Sequence, residues 1–339
     1  MDTNLAQLYL QYSEPSNNSN SQIWMEILEI YENPESILEI ISILTSTDVN
    51  DIIRQYASVG LKMVIKKNLE FLIEDLQSNG EQSALNNILI MLHEERDSYV
   101  SLQIITALNP VFSQLGDSWE QLDNLLSELF DSSVPIHINT GLRLMSDFLP
   151  FAGSDFVSQH LEILGHFIQS SLNSDDYDIQ IHGIELFSSL LQTEVPVTEF
   201  AESFYEIFKR SLEIFHNFQI ISDVQKATDA SREISLMLKI DQLFAPSSDI
   251  YSLLIEILSD DSISSEFYHL PLFPIGKLLK RYGEELQEFF SQSIVLFLAI
   301  SAAQFNDASY SELQNSTLII PLFSYMVDAV DNPDEFIKG

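Results

Sequence analysis

The sequence predicts an all-α protein, an α-solenoid in which antiparallel helix pairs stack into a superhelical array. Three observations lead to this prediction. Apolar residues recur at helical spacing along almost the whole chain, and the helical stretches come in pairs with a period of about forty residues. The 339 residues also include only 10 glycines and 11 prolines, too few for a β protein rich in turns.

The segment from Leu85 to Leu92 illustrates the spacing, because Ile88 and Leu89 place apolar side chains on one face of a helix. Polar residues separate such segments and supply candidate helix starts. We expect Asp48 to cap the helix that follows it, and Ser118 with Gln121 to form a capping box. Several prolines, Pro110 among them, fall inside the predicted helices, where each should kink its helix or mark a start that lies elsewhere.

The forty-residue period predicts HEAT-type repeats. One helix pair alone leaves an apolar face exposed, so neighbouring pairs must stack to bury it. We therefore expect a single continuous HEAT solenoid of about eight helix pairs over residues 1–339, with the second helix of each pair on the concave face.

Charge restricts the partners. Fifteen Lys and Arg against 51 Asp and Glu give a formal charge of −36. Nucleic acid is a poor partner because its recognition needs cations that neutralise phosphates, and an anionic membrane would repel the chain. The charge suits a basic protein partner, although it would also keep a long surface soluble.

The chain has no cysteine, which excludes disulfides, zinc–thiolate sites and a Cys nucleophile. Its N-terminus is acidic and polar, unlike a secretory signal, and its longest apolar run is far below the ~18 residues of a membrane span. We expect an intracellular protein without membrane insertion.

Motifs for chemistry are missing from the sequence. It has no glycine-rich dinucleotide loop, no P-loop and no serine elbow. The segment from His93 to Asp97 begins like a zinc-protease helix, but aspartate stands where the second histidine is needed. We expect no catalytic residues, no metal, no cofactor and no enzyme activity.

One block, Asp48–Lys67, resembles the importin-β (karyopherin) family. In that family the second helix of the second repeat has a characteristic pattern, and matching residues stand here at Arg54, Gln55, Ala57, Leu61, Lys62 and Lys66. Met63 departs from the pattern, since the family usually has asparagine there. A looser similarity covers most of the chain and is closest to importins that carry histones and ribosomal proteins.

The resemblance implies a nuclear transport receptor of the cytoplasm and nucleus. Residues 1–116 would correspond to the importin N-terminal region and residues 117–339 to further HEAT repeats. The N-terminal repeats would bind the small GTPase Ran in its GTP form, with Gln55, Lys62, Lys66 and Lys67 as candidate contacts. The partners would be Ran, basic cargo of the histone or ribosomal-protein type, and nucleoporin phenylalanine–glycine repeats. Family members are more than twice this long.

The candidate contacts for basic cargo are Asp175, Asp176, Asp178 and Glu185, which cluster near one inter-helix turn. Carboxylates at helix N-termini also favour the helix dipole, so a purely structural role is an alternative. Lys62, Lys66 and Lys67 likewise could meet an acidic partner or simply solvate a helix C-terminus. Arg54 is expected to bond a carboxylate between repeats.

Two alternative functions share this fold. One is a HEAT-repeat scaffold or adaptor that ignores Ran. The other is a truncated importin fragment that holds cargo without releasing it.

Overall fold

The computed structural model describes residues 5–14, 20–193, 201–238, 247–264, 267–305 and 310–329. All regular structure in these residues is helical, without a β-strand, so the prediction of an all-α repeat protein is confirmed. The chain divides into two compact units, Met1–Ile163 and Leu164–Gly339. Whether they form one continuous solenoid stays a prediction.

The described residues of the first unit form nine α-helices, and a tenth contains the residues at the division between the units. They are α1 (Leu5–Ser13), α2 (Asn20–Ile30), α3 (Ser36–Thr45), α4 (Asp51–Lys67), α5 (Leu69–Asn79), α6 (Ala84–Glu94), α7 (Ser98–Leu115), α8 (Glu120–Phe130), α9 (Pro135–Phe148) and α10 (Ser154–Leu172).

The described residues of the second unit form seven further helices. They are α11 (Tyr177–Leu191), α12 (Ala201–Ile220), α13 (Val224–Met237), α14 (Ser247–Leu258), α15 (His269–Tyr282), α16 (Phe290–Phe305) and α17 (Tyr310–Ala329).

Consecutive helices pack as pairs, and like helices of neighbouring pairs stack. In the first unit α3 packs on α4, α6 on α7 and α8 on α9, while the second helices stack in the order α4, α7, α9. In the second unit the second helices stack in the order α11, α13, α15, α17. The side chains that these stacked helices expose form one surface on each unit, which we call the second-helix face of that unit.

Helix α7 shows why the sequence folds this way. Val100, Ile104, Leu108 and Val111 recur at helical spacing and are fully buried between α4 and α9. Burying each such side chain contributes roughly 1.5–3 kcal/mol, which exceeds what intrinsic helix propensity supplies. Stacking therefore stabilises the helices.

Two predicted caps are wrong. Asn50, not Asp48, caps α4, because Asn50 directly precedes the helix and its Oδ1 accepts the Ile52 N–H at 2.8 Å. At α8 the capping box does not form: Ser118 donates its hydroxyl to the Leu115 carbonyl instead. The start of α8 is fixed by Trp119, whose buried indole donates to Asn86.

As expected, the prolines of the predicted helices either lie inside a helix or mark its start. Pro110 lies inside α7, and Pro274 and Pro321 lie inside α15 and α17. Pro271, however, falls in the first turn of α15, where a missing N–H breaks no helical hydrogen bond. It marks a helix start at His269 rather than a kink.

Candidate protein-binding surface

The second-helix face of the first unit carries two of the predicted GTPase contacts. Lys62 and Lys66 lie one helical turn apart on α4, and both side chains are exposed. The opposite side of the same helix is buried, with Leu61 and Ile65 inaccessible to solvent. Lys66 also lies in the last turn of α4, where the helix dipole favours its charge. Both ammonium groups are therefore accessible to a partner.

The other two predicted contacts already have partners within the unit. Lys67 forms an ion pair with Glu32, which follows α2, so its charge already has a partner within the chain. Gln55 is half-buried, and its backbone carbonyl accepts a hydrogen bond from the Ser58 hydroxyl. The structure thus separates Lys62 and Lys66 from Lys67, which is exposed but ion-paired, and from Gln55, which is half-buried.

A polar cluster that the sequence analysis missed joins the three second helices. Asp147 on α9 is half-buried and accepts a hydrogen bond from Asn109 on α7. Burial raises the pKa of the Asp147 carboxyl, while the Asn109 hydrogen bond and the positive charges of Arg143 and Lys62 lower it in part. One of the exposed lysines therefore also interacts electrostatically with the neighbouring repeats.

One sequence signal could have found this cluster. Arg143 is the only basic residue between Arg96 and Lys209, and Asp147 stands four residues after it. Opposite charges at i and i+4 lie on the same face of a helix. An isolated arginine with an aspartate four residues later therefore predicts an electrostatic interaction between the two side chains.

Arg54 joins two repeats. Its guanidinium donates to both carboxylate oxygens of Glu95, at 2.9 and 2.6 Å, and its Nε donates to the Leu44 carbonyl at 3.2 Å. The Glu95 side chain is only 3% exposed and also accepts the backbone N–H groups of Arg96 and Asp97. A side chain of α4 thus holds the loop that leads into α7, which is the geometry expected for an inter-repeat contact.

The acidic residues around the turn before α11 have three different environments. Asp176 caps α11, because its carboxylate accepts the N–H groups of Asp178 and Ile179. Asp175 is exposed, and within the described residues it makes no hydrogen bond or ion pair. Asp176 therefore has the structural role of the alternative interpretation, while a contact of Asp175 with cargo stays a prediction.

Asp178 contacts the next repeat. Its carboxylate lies 3.0 Å from Lys226 Nζ on α13, and Lys226 also bonds Asp223 at 3.1 Å. Burial alone would lower the pKa of Lys226, but the hydrogen bonds to Asp178 and Asp223 raise it. Burial would likewise raise the pKa of Asp223, yet the Lys226 backbone and side chain hold it below its ordinary value.

Glu185 lies about two helical turns after Asp178 on α11. Its carboxylate is 3.8 Å from His182 Nε2 and 3.9 Å from Arg232 Nη2 on α13. Like Asp178, it therefore faces a cation of the neighbouring second helix. The four predicted cargo residues lie on α11 and the turn before it. Among them, Asp175 is the residue whose carboxylate faces solvent without a partner in the described residues.

No group of three metal-ligating side chains occurs among the described residues. In the same part of the chain, no helix is both long and apolar enough to cross a membrane.

Comparison with known proteins places the fold. No protein-family model matches the sequence, and no curated protein matches it either. Solved structures do match. The crystal structure of Kap121p aligns with 97% of this chain and 33% of its own, at 12% identity and a TM-score of 0.70. A multiply substituted Kap121p aligns with 94% of this chain and 33% of its own, at 13% identity and a TM-score of 0.56. A designed armadillo repeat protein aligns with 69% of this chain and 99% of its own, at 12% identity and a TM-score of 0.37.

The protein is thus an all-helical repeat protein, an α-solenoid of the HEAT class. Within that class its structure is similar to Kap121p, a karyopherin-β, so the resemblance inferred from Asp48–Lys67 is confirmed for the fold. At 12% identity the likeness shows the fold alone, and the chain spans about a third of the length of Kap121p.

Proposed function

We propose that the protein is a karyopherin-like transport receptor that binds Ran-GTP through its N-terminal repeats and basic protein cargo through acidic residues of the second unit. One observation carries the first part: Lys62 and Lys66 are both exposed on the second helix of the second repeat, in a chain with the fold of Kap121p. Gln55 and Lys67 would contribute at the edge of this site.

The cargo part is supported by charge. The chain carries 51 acidic residues against 15 basic ones, and such an excess accelerates the approach of a basic partner. Asp175 would make direct contact. Asp178 and Glu185 would exchange Lys226 and Arg232 for cations of the cargo, and Asp176 would hold the turn in place.

Phenylalanine–glycine repeats of nucleoporins are a further proposed partner. A groove of about 440 Å³ lies between α6 and α8, and its apolar lining includes Leu89, Ile90 and Leu125. Ile90 is 56% exposed, so an aromatic ring that covered it would remove apolar surface from water. Such a receptor would act in the cytoplasm and the nucleus.

The mechanism requires no chemistry by the chain. Ran-GTP and cargo would exclude one another through a coupling free energy between two sites. Binding of Ran must differ between its nucleotide states, because equal affinity for both states would shift no equilibrium.

The test is a pull-down with Ran loaded with a non-hydrolysable GTP analogue or with GDP. We expect retention of the GTP form and little of the GDP form. The double variant Lys62→Glu/Lys66→Glu should lose binding, and circular dichroism checks that it is folded, because Lys62 also interacts electrostatically with Asp147.

The matched control is Lys277→Glu/Lys280→Glu. It makes the same change of charge at two exposed positions on a second helix of the other unit, α15, and should bind Ran-GTP normally. Equal binding of both nucleotide states, or equal loss in both double variants, would contradict the proposed GTPase site.

An adaptor that ignores Ran is the second candidate. It is favoured by the internal pairing of Lys67 with Glu32 and of Asp178 with Lys226, which uses charges predicted for partners. Binding of neither nucleotide state, together with retained binding of basic proteins, would support it.

A further inference from the structure

Four exposed apolar side chains surround two adjacent turns of the second unit. Tyr177 begins α11, Ile220 ends α12, Ile221 follows it, and Val224 begins α13; their exposed fractions are 41%, 47%, 41% and 58%. We call these four residues the turn-edge patch. Exposed apolar residues that are grouped and rimmed by polar ones mark interaction sites.

Specific contacts hold the two turns together. The Tyr177 ring packs edge-on against the buried ring of Phe218 on α12, with 5.9 Å between centroids. The second turn is closed by Ser222 in a left-handed conformation, φ 58°, and by the Asp223 N–H, which bonds the Phe218 carbonyl at 3.0 Å. The patch is therefore a built feature of the fold, whose shape does not depend on a partner.

Carboxylates rim the patch on both turns. Asp175, Asp176 and Asp178 precede or begin α11, and Asp223 precedes α13; Lys226 pairs with Asp178 and Asp223. The next turn of the unit extends the rim. Asp260 lies 2.8 Å from His216 on α12, and the side chain of Asp261 beside it is exposed.

A buried acceptor beneath the first turn lacks a partner. Gln180 is 6% exposed, and its Nε2 donates to the Ser174 carbonyl of the turn at 2.6 Å. Its Oε1 accepts no hydrogen bond among the described residues. An unpaired buried acceptor is costly, and this one lies on the residue that holds the turn before α11.

We infer that the turn-edge patch binds a basic peptide segment that carries an apolar anchor residue between its cations. The anchor would cover Tyr177, Ile221 and Val224, while the flanking lysines or arginines meet the aspartate rim. This inference deepens the proposed binding of basic cargo and rests on it. It adds that charge alone is insufficient, because the centre of the site is apolar.

A membrane surface is a poor alternative occupant, because the rim would be repelled by anionic lipid. Nucleic acid is excluded by the same sign of charge. A basic amphipathic segment matches both the apolar centre and the acidic rim, as complementary interfaces require.

The test uses three fluorescently labelled peptides and the full chain. The first alternates lysine with leucine, the second has serine in place of every leucine, and the third has glutamate in place of every lysine. Fluorescence anisotropy should show binding of the first, binding at least about tenfold weaker for the second, and none of the third.

Two double variants locate the site. Ile221→Ser/Val224→Ser should weaken binding of the lysine–leucine peptide at least about tenfold. The control, Val295→Ser/Leu298→Ser, removes two comparably exposed apolar side chains of α16 in the same unit and should leave binding unchanged. Circular dichroism confirms that both variants are folded.

Three outcomes would overturn the inference: equal binding of the leucine and serine peptides, no binding of either, or equal effects of the two double variants. The test contains no Ran, so loss of the GTPase site and loss of this patch are distinguished. A chain that ignores Ran but binds the lysine–leucine peptide at the patch contradicts the first proposal alone.

Discussion

At the scale of single residues, buried side chains decide which substitutions the first unit tolerates. The hydroxyls of Tyr9 and Tyr31 lie 2.6 Å apart in the core, and both are almost inaccessible to solvent. Gly60 on α4 lies against them: a Cβ there would overlap Tyr31 Oη and stand 2.6 Å from Tyr9 Oη. Glycine is required at this position by a close approach and not by backbone conformation.

We expect Gly60→Ala to lower the free energy of unfolding by about 1–3 kcal/mol, because the added methyl overpacks the tyrosine pair. Urea unfolding followed by circular dichroism measures this. Tyr31→Phe in the same chain should recover part of the loss by removing the overlapping hydroxyl.

The matched control is Gly165→Ala on α10, where a Cβ would meet nothing within 4 Å. It should stabilise the chain by up to about 1 kcal/mol through helix propensity. If both glycine variants shift stability in the same direction, the steric argument for Gly60 is wrong.

Asp147 gives a pH-dependent prediction. Burial raises the pKa of its carboxyl in the folded state, so folding favours the protonated form. The stability contributed by this group is present below the unfolded pKa and is lost as pH rises through the folded pKa. At neutral pH the buried charge therefore costs stability.

Asp147→Asn should then be more stable than the parent chain at pH 7, and the difference should shrink as pH falls towards 4. Thermal unfolding across this pH range measures the difference. Asp175→Asn removes one exposed negative charge and controls for the general benefit of lowering the net charge. A difference that grows towards low pH would contradict the assignment.

At the scale of helices, contacts between neighbouring repeats set the stacking register. Arg54 is the clearest case, because it holds Glu95 across 41 residues of sequence and is itself only 18% exposed. Removing one partner of a buried pair leaves an uncompensated charge, whereas replacing both with apolar residues is often tolerated.

We expect Arg54→Ala to lower the free energy of unfolding by about 3 kcal/mol. The double variant Arg54→Met/Glu95→Met should be closer to the parent chain than either single variant. Lys62→Ala, at an exposed position on the same helix, should change stability by no more than ~0.5 kcal/mol. Additive effects of the two methionine substitutions would show that the pair does not couple the repeats.

At the scale of the whole molecule, the large negative net charge affects the stability of the fold. With 51 acidic and 15 basic residues, like charges repel within the folded chain more strongly than within the expanded unfolded one. Ordinary salt screens such repulsion once the Debye length falls to about 8 Å.

We therefore expect the melting temperature at neutral pH to rise when sodium chloride is increased from low ionic strength to about 0.15 M. Scanning calorimetry measures this, and an uncharged osmolyte of equal osmolality controls for general solvent effects. The same salt should weaken the binding of basic peptides. A melting temperature that falls over this range would mean that attractive ion pairs outweigh the repulsion.

The sequence by itself determined the helical character, the pairing of helices and the sign of the surface charge. These properties follow from local patterns, because a 3.6-residue period decides which side of each helix is apolar, whatever its neighbours are. The same period placed Lys62 and Lys66 on the exposed side of α4. The resemblance in Asp48–Lys67 was sufficient to predict the fold that Kap121p shares.

Only the tertiary structure decided which charges have partners. Lys67 with Glu32, Asp178 with Lys226, and Asp147 with Asn109 join residues at least 35 positions apart, and no local pattern records such a pairing. It depends on the register in which neighbouring repeats interdigitate, and that register is fixed by the packing of many apolar side chains at once. Helical periodicity can therefore be predicted from the sequence, whereas the partner of a charged residue depends on how the repeats stack.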